Sequence, residues 1–479
     1  MRTYDYYCTW QAQNFLCHTK DVSNRDYLDE NALFNDVNGL VNNYKDERKD
    51  LIFVLDDGWD VPYSYNVKEN YPFASHIIRE DRFPSFVNSP KEKLKQMVDK
   101  IKSYGWKGVG IWVCAQGYEN DYSKSIEELK DFFKERLLWS KYANIMYWKV
   151  DWGIYCNDVK YRKMLVRLTK KYYPELIIEN AMCINPVNGF NNGEEEQYKY
   201  MFPWNKEMFN YIDKVTKFSE VFRSYDVTEE LSTNSTLARL TYLLKKSNAI
   251  INAEDELYLA AVLNCSYGIE RTPYSTVIAT PKNINFNFKC NEVKAAINYR
   301  RISPVFTKTA LRTSKEQFLD EYSFGGYWCD NVTNATVKQL CPARVARNTS
   351  LPKVKAIKEV PYVVCCKDLN NNYAIGTFKR INYENDDKYL VDVSVKINQV
   401  VKNIAIFSNQ IKTLKVKFTE DVNFSKIVLV NLMNKSRRDV TNKINIIKNN
   451  QLIINYEELT KRFKCDDNSC KAYMLRLYK

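Results

Sequence analysis

Several short apolar runs in this chain end abruptly in residues that do chemistry on oxygen. The sharpest is 145–153, IMYWKVDWG, in which an apolar run passes into Lys149, Val150 and Asp151. A charge at the end of a buried strand is costly unless it is paired or used. A Lys–Asp ion pair would account for this segment alone, but other runs end the same way. YDYYCTW ends in Trp10, LIFVL in Asp56-Asp57, and KGVGIWV carries Trp112. ELIIE ends in Glu179, the run at 219–222 enters Arg223 and Asp226, and the run at 249–252 meets Glu254-Asp255-Glu256. Brought together, carboxylates, a lysine, an arginine and tryptophans suit one substrate class. Trp faces stack on the C–H faces of sugars, and the charged groups bind hydroxyls. A pair of carboxylates can carry glycoside hydrolysis, one attacking or activating water and the other protonating the leaving oxygen.

Other chemistries are disfavoured by what is scarce. Only two histidines occur, His18 and His76, so Ser-His hydrolysis and His-based metal chemistry are not expected and acid–base work falls to carboxylates. The 13 cysteines form neither a zinc spacing nor a disulfide scaffold. Cys365–Cys366 and Cys465/Cys470 are the pairs that could be bridged, and free buried thiols are the expected state. No metal and no cofactor is expected. Asn-x-Ser/Thr triplets at Asn331, Asn334 and Asn348 are what chance gives in an Asn-rich chain.

The elements that would position these residues follow a rhythm. Apolar runs of strand length alternate with amphipathic helical segments over about 300 residues, including helices at 29–45, 91–104, 125–139, 158–172, 205–216, 235–246 and Leu257–Leu263. The last strand, 268–272, is the least marked. This alternation predicts a (β/α)8 barrel, in which chemistry sits at the C-terminal ends of the strands. From about residue 350 short alternating runs with polar turns take over, predicting an antiparallel β-sandwich. The division expected is a catalytic barrel over 1–345 and a sandwich over 346–479, room enough in 479 residues for one large and one smaller domain.

The net charge of +13 is uneven. Residues 351–479 hold 24 Lys+Arg against 13 Asp+Glu, whereas all nine tryptophans precede residue 329. The lysines of the tail alternate with apolar residues, as in Ile411–Phe418 (IKTLKVKF), the pattern of a half-buried strand with a solvated face. Nucleic acid is therefore not an expected partner. No apolar run is long enough to span a membrane, and the N-terminus lacks the apolar core of a signal peptide, so a cytoplasmic location is expected unless a leader has been removed. Oligomeric state is not readable.

Three of the motifs carry a resemblance. Asp56-Asp57-Gly58-Trp59, Tyr147-Trp148-Lys149-Val150-Asp151 and Arg223-x-x-Asp226 resemble the signature strand ends of the α-galactosidase (melibiase-like) retaining glycoside hydrolases. The likeness extends to the N-terminal strand ending in Trp10, to Arg82-Phe83-Pro84 and to a C-terminal β-sandwich. It implies Asp151 as nucleophile and Asp226 as general acid/base, protonated at working pH through partial burial and the charge of Asp151. It implies Asp56, Asp57 and Lys149 on sugar hydroxyls, Arg223 and Glu179 near the C2 substituent, and Trp10 as the floor. Lys149, two residues before Asp151 on a strand, points to the same side and would hold that carboxylate ionised. The pattern departs from the family in that Arg223 and Asp226 stand one residue closer than in many relatives, and Glu179 lies in IIENAM. Glu254-Asp255-Glu256 is expected to cap the following helix. Trp106, Trp139 and Trp148 are expected in the core, while Trp112 and Trp152 suit either core or site.

The expected activity is hydrolysis of terminal α-galactosides with retention. β-L-Arabinopyranosides, α-N-acetylgalactosaminides, transglycosylation to raffinose-type sugars, and a catalytically idle carbohydrate-binding protein stand as alternatives.

Overall fold

Eight short parallel strands close into a barrel in chain order: β1 (Asp5–Cys8), β2 (Leu51–Leu55), β3 (Gly108–Val113), β4 (Ile145–Val150), β5 (Ile177–Ala181), β6 (Val221–Arg223), β7 (Ile250–Glu254) and β8 (Ser266–Ile269). β8 closes on β1 through Tyr6↔Gly268 and Tyr7↔Ile269. The structure, a computed structural model, describes residues 3–17, 20–63, 73–117, 125–181, 206–224, 233–270, 286–324, 335–380, 386–447, 450–461 and 471–479. The fold is a (β/α)8 barrel followed by a β-sandwich, as the alternation of elements predicts.

The strands read as near-continuous apolar runs because both faces are covered. Outward-pointing Phe53, Leu55, Val109, Ile111, Trp148 and Val150 pack under the surrounding helices, meeting Leu94, Met97 and Ile101 of Pro90–Ser103 and Leu129, Phe133 and Leu137 of Ile126–Ala143. Each such side chain contributes about 1.5–3 kcal/mol on burial. Helix Ile126–Ala143 begins in a capping box: Glu128 N–H donates to Ser125 Oγ, and Ser125 N–H donates back to Glu128 at 2.6 Å. It ends at Asn144 in the left-handed region, φ 62°. Inward-pointing Tyr6, Cys8, Ile52, Val54, Tyr147, Ile177, Val221 and Ile250 form a separate plug inside the barrel. Because side chains alternate along a strand, the next inward residues of several strands stand above this plug, and those are the charged ones.

Two local expectations are corrected. The helix expected over 29–45 breaks into Glu30–Phe34 and a 3-10 turn at Leu40–Asn42. Asn35 ends the first piece by accepting Val37 N–H at 3.0 Å and Asn38 N–H at 3.1 Å, the local competition with helix that Asn makes best. The last strand, Ser266–Ile269, begins two residues earlier than expected, and 271–272 of the expected run lie outside the described residues.

The C-terminal part packs an eight-stranded sheet on a five-stranded one. Val363, Ile375, Ile404, Leu429 and Leu475 meet Val393, Leu414, Val416 and Leu452 between them. The sheets are mostly antiparallel, with three parallel pairs: Arg344–Arg347 with Tyr362–Lys367, Asn372–Phe378 with Asn403–Phe407, and Val391–Ile397 with Ile411–Phe418. The other face of the large sheet joins the barrel core. Phe407 packs its ring 5.0 Å from Tyr258 and 5.5 Å from Tyr299, and buried Arg347 donates to the carbonyls of Leu263 and Asn264. Cys365 and Cys366 are free thiols, and Cys465 and Cys470 lie outside the described residues. No helix among the described residues is long and apolar enough to cross a membrane.

Candidate active site

Above the apolar plug, at the C-terminal ends of the strands, Lys149 and Arg223 pair with five carboxylates among the described residues. Lys149, on β4, places Nζ 3.0 Å from Asp56, 3.2 Å from Glu254 and 3.0 Å from Glu270. Arg223, the last residue of β6, places Nη2 2.8 Å from Asp151, Nη1 3.0 Å from Glu254 and Nε 3.3 Å from Glu179. Two phenols complete the set. Tyr6 donates to Glu254 Oε1 at 2.7 Å, and Tyr147 donates to Glu179 Oε2 at 2.7 Å.

Five ionised carboxylates against two cations would leave unbalanced negative charge in a dry barrel, which is costly at low dielectric. The glutamates divide accordingly. Burial pushes Glu179 up to about 7 although Arg223 opposes it, and the charge of Glu254 adds to the rise. Burial, then the charge of Glu254, pushes Glu270 well above its ordinary range against the pull of Lys149. Burial alone would raise Glu254 too, but Arg223 and Lys149 outweigh it and hold that carboxyl far below the usual range. Lys149 and Arg223 stay charged despite burial because of their carboxylate partners, Asp56 first for the lysine and Asp151 first for the arginine.

Asp151 is the most exposed member, its side chain 10% accessible against 0–3% for the others. Its Oδ1 faces Arg223 and its Oδ2 accepts the Trp112 indole N–H at 3.1 Å. The backbone beneath it is pinned from two sides. Asp151 N–H donates to Val113 O at 3.0 Å, and buried Arg162 donates to Val150 O at 2.6 Å and to Asp151 O at 2.9 Å. Trp59 Nε1 fixes the neighbouring strand end by donating to Trp112 O at 3.0 Å.

The rim is built by β1 and β2. Asp56 N–H donates to Thr9 Oγ1 at 2.9 Å, and Asp56 Oδ2 accepts both Lys149 and the Cys8 thiol. Asp57 turns the other way and pairs with Arg25 at 2.9 Å. Burial lifts it to about 6 in spite of Arg25, and its Oδ1 has no hydrogen-bond partner among the described residues. Trp10 opens the helix after β1 and packs, half-buried, on the apolar plug. Trp152, half-buried, sits edge-on to Phe73 at 4.9 Å and tilted against Trp112 at 5.5 Å.

The sequence-derived residues Trp10, Asp56, Asp57, Trp112, Lys149, Asp151, Glu179 and Arg223 thus stand at one end of one barrel. Asp226 lies outside the described residues. Two roles are corrected. Arg223 pairs with Asp151, whereas Lys149 reaches to Asp56, Glu254 and Glu270, because its long side chain extends across the barrel. Glu254-Asp255-Glu256 is not a capping device: Glu256 is the N-cap residue but makes no side-chain cap bond, Asp255 accepts Glu270 N–H at 3.0 Å, and Glu254 enters the charge network. Sequence reasoning missed Tyr6, Cys8, Arg25, Tyr147 and Glu270. The period-two alternation of β1 and β4 signals the first, second and fourth of these, since Tyr6 and Cys8 share one face and Tyr147 shares that of Lys149.

No family model matches the sequence, nor does any curated protein. Among solved structures the chain is similar to α-galactosidase I from Mortierella vinacea, at 11% identity and TM-score 0.42, covering 99% of this chain and 98% of that one. It is also similar to a β-L-arabinopyranosidase from Geobacillus stearothermophilus in complex with arabinose, at 9% identity and TM-score 0.42, covering 100% and 97%. A putative α-N-acetylgalactosaminidase from Bacillus halodurans gives 11% identity and TM-score 0.44, again covering 100% and 97%.

Proposed function

We propose that the protein is a retaining glycosidase acting on terminal α-galactosides, with Asp151 as nucleophile and Asp226 as general acid/base. The observation that carries this is the setting of Asp151. It is a carboxylate at the C-terminal end of β4, the most accessible of its network, with one oxygen facing Arg223 and the other accepting from Trp112. A nucleophilic carboxylate needs that fixed geometry and that charge support.

In the first step an Asp151 oxygen bonds to the anomeric carbon as the glycosidic bond breaks. The departing oxygen takes the electron pair of that bond and the proton of Asp226. In the second step Asp226, now a carboxylate, takes a proton from water as the water oxygen displaces Asp151. Two inversions give net retention. Asp56 and Lys149 are suited to orient ring hydroxyls, because a cation and a carboxylate side by side can donate to and accept from one diol. Trp10 and Trp152 offer aromatic faces at the rim. β-L-Arabinopyranosides and α-N-acetylgalactosaminides, which share the ring shape, are the alternative substrates.

The stereochemistry of the product tests the mechanism. Proton NMR of the first-formed sugar from an aryl α-galactoside is expected to give the α-anomer, followed by slow mutarotation. The β-anomer appearing first would exclude a double displacement.

A further inference from the structure

Among the described residues, Glu254 forms ion pairs with both site cations. Its Oε1 lies 3.2 Å from Lys149 Nζ and accepts the Tyr6 hydroxyl at 2.7 Å, while its Oε2 lies 3.0 Å from Arg223 Nη1. Both oxygens are thus occupied by protein donors, and the side chain is 1% exposed. The barrel is shaped to admit it. Gly268, its register partner across β7 and β8, has no side chain, and a Cβ there would fall 2.6 Å from Glu254 Cγ and 2.9 Å from the Tyr6 hydroxyl.

We propose that Glu254 is a positioning residue, a buried anion that holds Lys149 and Arg223 apart at fixed places and takes part of the Arg223 charge away from Asp151. Two cations facing one another in a low-dielectric interior repel strongly, and an anion touching both removes that repulsion. Arg223 divides its charge among Asp151, Glu179 and Glu254. A nucleophile bound by an arginine wholly its own would be ionised but dulled, and sharing the cation keeps Asp151 ionised with electron density left to attack. The groups facing Glu254 are Tyr6, Lys149, Glu179, Arg223 and Glu270. Those facing Asp151 include Arg223, Trp112, Asp57, Cys114 and Cys156.

This assignment rests on the glycosidase reading, and its test separates the two. Wild type, Glu254→Gln and Glu254→Asp are assayed on aryl α-galactoside, β-L-arabinopyranoside and α-N-acetylgalactosaminide across pH. With the anion removed, Arg223 falls more fully on Asp151, so Glu254→Gln is expected to lose about a hundredfold in kcat/KM. Its acid limb is expected to move roughly one unit to lower pH. Glu254→Asp keeps the charge with a shorter reach, so it is expected to lose kcat with its acid limb in place, and this variant decides the matter if the glutamine variant does not fold. Wild-type turnover in either variant, or a slowed Glu254→Gln with an unmoved acid limb, overturns the assignment while leaving the glycosidase reading standing. A wild-type chain inert on all three substrates overturns the glycosidase reading, and the assignment falls with it.

Discussion

Arg223 stands 2.8 Å from Asp151 with its own side chain 2% exposed, an ion pair at the inner edge of the barrel mouth. Removing one member of a buried pair leaves the other uncompensated, at a cost of about 3–5 kcal/mol. Arg223→Met is therefore expected to lower unfolding stability by about that amount, measured by urea denaturation, and to abolish turnover. Arg223→Lys is expected to fold and yet remain severely impaired, because a point charge cannot serve three carboxylates from three directions.

Arg162 acts on Asp151 from behind, through the backbone. It donates to the carbonyls of Val150, Asp151 and Cys156. Arg162→Lys leaves some of these acceptors unmatched and lets the strand end shift. Steady-state kinetics is expected to show kcat reduced about a hundredfold with little change in KM, the result of moving a nucleophile by a fraction of its working distance.

The pH dependence of stability follows from the raised carboxyls. Burial lifts Glu179 to about 7, Asp57 to about 6, and Asp60, a buried carboxyl that accepts His76 N–H at 3.1 Å, to about 7. A carboxyl raised in the folded state binds its proton more tightly there than in the unfolded chain. Its stabilisation is full below the unfolded value and is lost as pH rises through the folded one. Thermal unfolding is therefore expected to occur at higher temperature near pH 5 than near pH 8. Asp60→Asn is expected to flatten that decline, since it removes one such proton. Glu254, held low, works in the opposite sense, and its contribution is lost as pH falls through its folded value.

Gly268→Ala probes the packing of the network without touching a charge. The added methyl would meet Glu254 and the Tyr6 hydroxyl. Overpacking of this kind costs about 1–3 kcal/mol. Denaturation is expected to report that loss, and turnover is expected to fall by more than stability does, because the displaced atoms hold both cations.

Much of this was legible in the sequence for a physical reason. Leu51–Leu55 and Ile145–Val150 are buried on both faces, so each reads as an unbroken apolar run, and the charge that follows marks the barrel mouth. Glu254 was hidden by its neighbours. It lies just before helix Leu257–Leu263, where acidic residues are ordinary, and only the inward parity of Ile250, Asn252 and Glu254 separates it from a cap. Glu270 was hidden because Ser266–Ile269 is short and half polar, which blurred the end of β8. The partners of Lys149 could not be read at all, since alternation fixes the face of a side chain but not how far four methylenes carry it. In the sandwich, alternation located the longer strands but not short ones such as Leu311–Thr313, Arg344–Arg347 and Lys353–Ala356, and the three parallel pairs depend on long connections that leave no local trace.

The central claim is tested most directly by turnover of a panel of aryl glycosides, comprising α-galactoside, β-L-arabinopyranoside, α-N-acetylgalactosaminide and α-glucoside, with wild type beside Asp151→Ala and Asp226→Ala. Wild type is expected to turn over one of the first three. Asp151→Ala is expected to be inactive until azide is added, which then yields the glycosyl azide of inverted configuration. Full activity in Asp151→Ala, or a wild-type chain inert on every member, would contradict the account.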